Sequence, residues 1–436
     1  MAQVYLNVRT KFNIVLILSL VWMGISIWVS APWVSELAQK IGYGAALFIV
    51  SFIAILPGFF NSFLFFGLMF DRRPKASALN VYPAITILIA AFNEAKTLPL
   101  TLESIFRSPY PGELEVILVD DGSTDDTLEV ARKLSRIHPE IKCIGHSINQ
   151  GKAAALNLGL REARHDIIIS LDADSYLYKD ALKRIVERYK SDPLGTAAVA
   201  GAVLVRNSRV NWLTQAQEWE YFHGIATVKR VQSLFQGVLV AQGAFSLYEK
   251  QILLDVGGWP STVGEDIVMT WALLERGYRI GYAEEALVFT ISPETLIGFV
   301  RQRQRWARGM IEAFKAHPKV LVRARLSTFF IYWDLMFPLL DLAFVFGFIP
   351  GLALAAFGNY AIVGPMTLAL LPLALLINWA MFRVASKVFV NQALHVRRNL
   401  KGFFLYTLPF GLIVQSAAIL GYVSEALGTR KSWGTK

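Results

Sequence analysis

The chain has 436 residues, of which 54% are hydrophobic and only 17% charged. Soluble domains run nearer about 45–50% apolar and about 25% charged, so an all-soluble protein is disfavoured, and the positive mean hydropathy of +0.44 agrees. The balance of 43 Lys and Arg against 33 Asp and Glu gives a formal charge of +10; in a membrane protein such an excess collects in cytoplasmic loops, so no nucleic acid is needed to explain it.

The single cysteine, Cys143, excludes an intrachain disulfide and a cysteine-built zinc site. Plentiful aromatic residues and the lack of low-complexity tracts exclude disorder.

Residues 12–34 carry no charge over 23 positions, and residues 43–70 none over 28. Each is long enough to cross a hydrocarbon core about 30 Å thick. No small-residue cleavage site leads into a mature domain, and a second apolar stretch follows at once, so both read as anchors.

From residue 71 to about 325 the texture changes to frequent charges and short apolar runs. Strands are expected at 84–91, 114–120, 141–145 and 166–172, with helices at 95–107, 124–136, 152–163 and 179–190. That β-α-β-α alternation predicts an α/β domain built on a mostly parallel sheet with helices on both faces.

The chain then turns apolar again, with 41 uncharged residues between Asp341 and Arg383. They suffice for the end of one span, a turn at 358–364 and another span. A basic stretch (Lys387, Arg397, Arg398, Lys401) leads into the uncharged 402–424. Three parts are therefore expected: two transmembrane helices in 1–75, the α/β domain in 76–320, and transmembrane and interfacial helices in 321–436.

Arg9, Lys11, Arg72, Arg73, Lys75, Arg323 and Arg325 all fall on one side if the α/β domain is cytoplasmic. A full crossing by 402–424 would carry Arg430, Lys431 and Lys436 outside, against that rule. Pro409, Gly411, Gln415 and Ser416 instead fit a broken segment that re-enters or lies at the interface. No internal repeat is visible, which argues against an inverted-repeat transporter.

Ligands of α/β sheets bind at the carboxyl ends of strands, and three expected strand ends here are polar. They read Phe92-Asn93-Glu94, Asp120-Asp121-Gly122-Ser123 and Asp172-Ala173-Asp174. Taken alone, Asp-Asp-Gly-Ser is as well explained by a turn and a helix cap. Asp172 and Asp174 would repel each other unless a cation lay between them, and Mg²⁺ or Mn²⁺ takes such oxygen ligands together with substrate phosphates.

Gly151-Lys152 opens a helix in a manner suited to a phosphate. Neither a Walker A loop nor GxGxxG is present. Gly264-Glu265-Asp266 follows, blandly a helix cap. In Arg301-Gln302-Arg303-Gln304-Arg305-Trp306 the three arginines cannot share one solvated face; Arg with Trp suits a phosphate and a ring, and a basic helix lying on anionic lipid is the alternative. Asp334 and Asp341 sit seven residues apart in an apolar span, where carboxylates usually face protein or water. They are expected to line a polymer path close to Trp333.

The ordered set of Asp-Asp-Gly-Ser, Gly-Lys, Asp-Ala-Asp, Gly-Glu-Asp and Gln302-x-x-Arg305-Trp306 resembles the membrane-embedded processive glycosyltransferases of family 2. These are the synthases of cellulose, hyaluronan, chitin oligomers and poly-β-1,6-N-acetylglucosamine. The likeness spans about residues 84 to 306, and the two-anchor layout is most similar to the bacterial poly-N-acetylglucosamine synthases. It implies a GT-A-like nucleotide-sugar domain in a multi-pass protein of the bacterial inner membrane, catalytic side cytoplasmic.

By that resemblance Asp120 and Asp121 contact uridine, Phe92 flanks the uracil and Glu94 belongs to the nucleotide site. Many relatives carry Tyr where this chain has Phe92. Lys152 and Asp172 meet the diphosphate, and Asp174 with Asp172 holds Mg²⁺ or Mn²⁺. Asp266 is the base of an inverting transfer, in a Gly-Glu-Asp that departs from the family's Thr-Glu-Asp. Gly243, Glu265, Gln302, Arg305 and Trp306 serve pyrophosphate and acceptor, and Trp433, in a stretch resembling a hyaluronan-synthase element, approaches the nucleotide pocket.

The partners implied are a UDP-sugar donor, a growing polysaccharide, the lipid bilayer and a small membrane subunit. UDP-GlcNAc is the first choice of donor. Hyaluronan- or glucan-type synthesis, and single transfer to a lipid carrier, remain as alternatives.

Overall fold

The structure is a computed structural model, and it describes residues 6–429 apart from 108, 388, 389, 391, 393 and 395–398. Arg397, Arg398, Arg430, Lys431, Trp433 and Lys436 therefore lie outside the described residues.

Among these, three helices are long and apolar enough to cross a membrane: Val8–Ile41, Tyr43–Met69 and Leu326–Ala356. The apolar stretch after Gly364 forms a further helix, Pro365–Ala385. Leu400–Thr407 and Phe410–Ala426 meet at a bend of 49°, a broken span or a re-entrant loop. The break falls at Leu408–Pro409, where proline has no N–H to continue the ladder.

The α/β part follows the expected order, with strands β1 (Ile85–Ala91), β2 (Leu114–Asp121), β3 (Ile141–His146) and β4 (Ile167–Leu171). All seven residues of β1 and all five of β4 are buried, as a strand covered on both faces requires. These four strands pair in parallel.

The sheet as a whole is mixed: four of its seven strand pairings are parallel, in keeping with the expected mostly parallel sheet, and three are antiparallel. Its eight strands run in the order β3-β2-β1-β4-β7-β6-β8-β5, with β5 at Tyr176–Leu177, β6 at Thr196–Val205, β7 at Phe245–Glu249 and β8 at Arg279–Thr290. Strand β7 lies antiparallel to both β4 and β6, and β5 antiparallel to β8. Half of strand β6 (TAAVAGAVLV) is Ala or Gly, which dilutes the strand signal of its Thr and three Val. Gly201 has a structural reason to be there, because a side chain would strike the Phe245 ring of β7.

The long apolar helices and the sheet domain share one hydrophobic core. Phe12 of the first helix meets Phe63, Phe235 and Phe329 edge-on, with ring centroids 5.7, 5.3 and 5.4 Å away. Beneath it Arg73 bonds Asp71 at 3.0 Å and Glu284 at 2.6 Å, and Arg230 joins the same two carboxylates. Burial opposes the charge of Asp71, but Arg73 and Arg230 outweigh it and hold the carboxyl below its ordinary range. Breaking such a buried network typically costs about 3–5 kcal/mol, so it fastens the sheet domain to the apolar helices.

Candidate active site

Strands β2 and β4 flank β1 on opposite sides, so the chain changes direction across the sheet at β1. The crevice outside the carboxyl ends of strands at such a point is the general ligand position of α/β sheets. Here it is bordered by Phe92-Asn93-Glu94 and Asp172-Ala173-Asp174.

The loops are stitched to one another. Asn93 holds a left-handed φ of 58°, which Asn tolerates better than most residues. From there its N–H donates to Ser123 Oγ at 3.0 Å, and its Oδ1 accepts from the Thr124 N–H at 2.9 Å. Asp120 and Asp121 divide their work. Asp121 is fully buried, and its carboxylate lies 2.7 Å from His146 Nδ1 and accepts the N–H groups of Gln150 and Gly151 at 3.0 and 2.7 Å. It holds the loop that delivers Lys152. Asp120 Oδ1 is buried with no protein partner among the described residues, so of the two it is the one with an acceptor left for a ligand.

A cavity of 660 Å³ opens beside this crevice. On one wall Lys152 Nζ sits 2.7 Å from Asp172 and 3.3 Å from Glu265. Burial works against its charge, but Asp172, Glu265 and Asp266 together keep it protonated well above the ordinary lysine range. Gly243 makes the approach feasible, since a Cβ there would meet Lys152 Nζ at 2.6 Å. Asp174 is pushed upward by burial and then by the negative charges of Asp172 and Glu94. The positive charge of Lys152 acts against that repulsion.

Asp266 stands in the first turn of the helix Glu265–Glu275. Its Oδ2 accepts the Gly243 N–H at 3.3 Å and its Oδ1 the Ile267 N–H at 2.8 Å. Opposite runs the helix Leu296–Ala316, whose Gln302, Arg305, Trp306 and Gly309 all line the cavity. Positions spaced by three and four residues share a helix face. Arg305 Nε is buried without a partner among the described residues. Arg303 points away to Glu220 and stacks over Trp306, its guanidinium carbon 4.0 Å from the ring centroid. The three arginines are thus divided as expected, with Arg301 exposed.

The two helices touch at glycines. A Cβ on Gly264 would meet Gly309 Cα at 2.5 Å, and Glu312 accepts the N–H groups of Val263 and Gly264 at 2.8 and 3.0 Å. That contact explains why glycine occupies the first position of Gly-Glu-Asp. Gly264→Thr should force the helices apart and cost about 1–3 kcal/mol, with a fall in turnover larger than the fall in donor affinity. A lower thermal midpoint in detergent with unchanged turnover would show that the contact does not position Asp266.

Asp334 reaches the cavity from the helix Leu326–Ala356. Asp341 is not among the residues that line it. It is buried and accepts the Tyr422 hydroxyl at 2.8 Å, while Trp333 stacks on Phe60 with centroids 4.1 Å apart. Gln242, beside Gly243 in the stretch that resembles an acceptor-site element, also lines the cavity. So do Lys229 and Tyr221; no motif marked them, and only the long-range packing brings them there.

Residues 86–257 match the sequence profile of Glycosyl transferase family 2. The domain belongs to that family. Poly-beta-1,6-N-acetyl-D-glucosamine synthase of Staphylococcus aureus is 39% identical over 241 residues, 55% of this chain and 57% of that protein. The enzyme of the same name from Staphylococcus epidermidis is 38% identical over 227 residues, 52% of this chain and 54% of that one. The chain thus spans just over half the length of the curated relatives it matches. A mannosyltransferase from Pyrobaculum calidifontis, solved with GDP-Man and Mn²⁺, superposes with a TM-score of 0.59 over 88% of this chain and 99% of that one. At 19% identity it shows that the family 2 domain shares the GT-A-like fold, here with a mixed sheet.

Proposed function

We propose that the chain is a processive, inverting glycosyltransferase that polymerises N-acetylglucosamine from UDP-GlcNAc and passes the β-linked product through its membrane helices. The carrying observation is that one cavity gathers Lys152, Asp172, Asp174, Asp266, Gln302 and Arg305. Those groups supply what transfer from a nucleoside diphosphate needs: charge for the leaving group and a carboxylate for the acceptor proton. The staphylococcal relatives point to the sugar.

In this reading Asp120 receives the nucleoside through its unpartnered oxygen, with Phe92 and Glu94 beside it. Lys152 and Arg305 hold the diphosphate oxygens. Asp266 accepts the proton of the attacking hydroxyl, so that a single displacement turns an α-linked donor into a β-linked product. Gln302 and Trp306 hold the acceptor end.

A divalent ion fits the donor set. No group of three or more His, Cys, Asp or Glu that could hold a metal by itself occurs among the described residues. Asp174 and Asp172 nevertheless offer hard oxygens, and their repulsion is what a Mg²⁺ or Mn²⁺ would relieve. Such an ion would share its remaining positions with the substrate diphosphate, neutralising the charge that develops on the leaving group. The basic residues flanking the apolar helices favour a bacterial inner-membrane location with the catalytic domain on the cytoplasmic side.

The test is a donor screen of the purified full chain, reading UDP release and product length with UDP-GlcNAc, UDP-Glc and the UDP-GlcNAc/UDP-GlcA pair. Polymer from UDP-GlcNAc alone is expected. Turnover confined to UDP-Glc, or a requirement for UDP-GlcA, would overturn the sugar; single addition to a lipid would overturn processivity.

A further inference from the structure

The helix Val228–Leu234 lies between the second membrane helix and the cavity. Its orientation is set on two sides. Val231 fills the space opposite Gly67, where a Cβ would meet Val231 Cγ1 at 2.8 Å. Arg230 is bound by Asp71 and, at 3.1 Å, by Glu284. With its neighbour committed to that network, Lys229 is left on the face towards the cavity, which it lines together with Asp266, Gln242 and Asp334.

Lys229 is 8% exposed, yet no ion pair or hydrogen bond engages its amine among the described residues. Burying an ammonium without a partner is costly, and nothing in the packing demands a lysine there. Burial lowers its pKa to about 7, and the one charge acting in the other direction is Asp266. Lys152, by contrast, is ion-paired with Asp172 and Glu265.

Lys152, Asp172 and Glu265 meet at the carboxyl ends of the strands, and Asp266 lines the cavity beside Gly243. Lys229 enters the same cavity from a helix packed on Gly67 of the apolar helix Tyr43–Met69, and Asp334 reaches it from another apolar helix. A ligand held by Lys229 is thus held from a different wall than the leaving group, as an attacking hydroxyl must be. An amine with three hydrogens to donate suits a neutral ligand rich in hydroxyl and acyl oxygens.

We propose that Lys229 is an acceptor-binding residue, donating hydrogen bonds to the terminal sugar of the glycan beside the hydroxyl that faces Asp266. This assignment rests on the glycosyltransferase reading of the cavity. It adds a contact that no motif marks, and it divides the cavity into a donor end served by Lys152 and an acceptor end served by Lys229.

The test compares wild type, Lys229→Met and Lys229→Arg as full chains in detergent. UDP affinity is measured with Mn²⁺ present, and the affinity and KM of a β-linked N-acetylglucosamine tetramer are measured separately. Methionine keeps the length and removes a buried charge, so the thermal midpoint should not fall. Lys229→Met should leave UDP affinity within about twofold, weaken tetramer binding at least tenfold and raise its KM more than it lowers kcat. Lys229→Arg should recover part of that loss. Wild-type tetramer affinity in Lys229→Met would overturn the proposal, as would parallel loss of UDP and tetramer binding. Failure of the wild type to bind UDP at all would instead overturn the glycosyltransferase reading.

Discussion

Asp266→Asn is expected to lower turnover by about 10²-fold or more while UDP affinity stays nearly unchanged. Asparagine has the same shape, so the cavity keeps its walls, but a neutral amide cannot take the proton of an acceptor hydroxyl. The substitution has a local structural cost that can be separated from the chemical one. Both carboxylate oxygens of Asp266 accept backbone N–H groups, from Gly243 and from Ile267. An amide offers one oxygen only, so one of those donors loses its acceptor, worth about 1–3 kcal/mol. A small fall in thermal midpoint should therefore accompany the loss of turnover. Turnover within a few-fold of wild type would remove Asp266 from the role of base.

Asp174→Ala is expected to reduce turnover by about 10²–10³-fold, the scale at which preorganised charge at a leaving group acts. Here UDP affinity should fall as well, and its dependence on Mg²⁺ or Mn²⁺ should disappear. Stability should move the other way. Asp174 is crowded by Asp172 and Glu94, so deleting its carboxyl relieves repulsion and should leave the thermal midpoint equal or higher. That combination separates a ligand role from a packing role. Chelation with EDTA should silence the wild type, with recovery on adding Mn²⁺ or Mg²⁺. Undiminished synthesis in EDTA would end the metal reading.

Much of the fold is written in local pattern. An uncharged run of the length of residues 12–34 has few alternatives to a helix in an apolar surrounding, because its backbone must satisfy itself internally. Strands β1, β2 and β4 are legible for a similar reason: an apolar run rich in β-branched residues, five to eight long and followed by Asp or Asn, reports both the strand and its polar carboxyl end. The order of motifs likewise survives in one dimension, so Lys152, Asp172, Asp266 and the Gln302–Trp306 segment could be chosen without coordinates, and the cavity does bring them together.

What the sequence by itself determined, then, was the long apolar helices, the first four strands and the chemistry offered at their ends, since each depends on neighbours within a few positions. The mixed sheet needed the tertiary structure, because β7 enters antiparallel between β4 and β6, partners distant in the chain that leave no periodic trace. The same holds for the side chains. Asp120 and Asp121 are equivalent in the sequence, and only the return of the His146–Gly151 loop commits Asp121 to holding it and leaves Asp120 an open acceptor. Asp334 and Asp341 share a helix face, yet one reaches the cavity and the other is sealed by Tyr422. Gly264 is glycine because Gly309, far along the chain, occupies the space a side chain would need. Charge and burial are properties of a surrounding, and for these residues the surrounding is assembled from segments that only folding brings into contact.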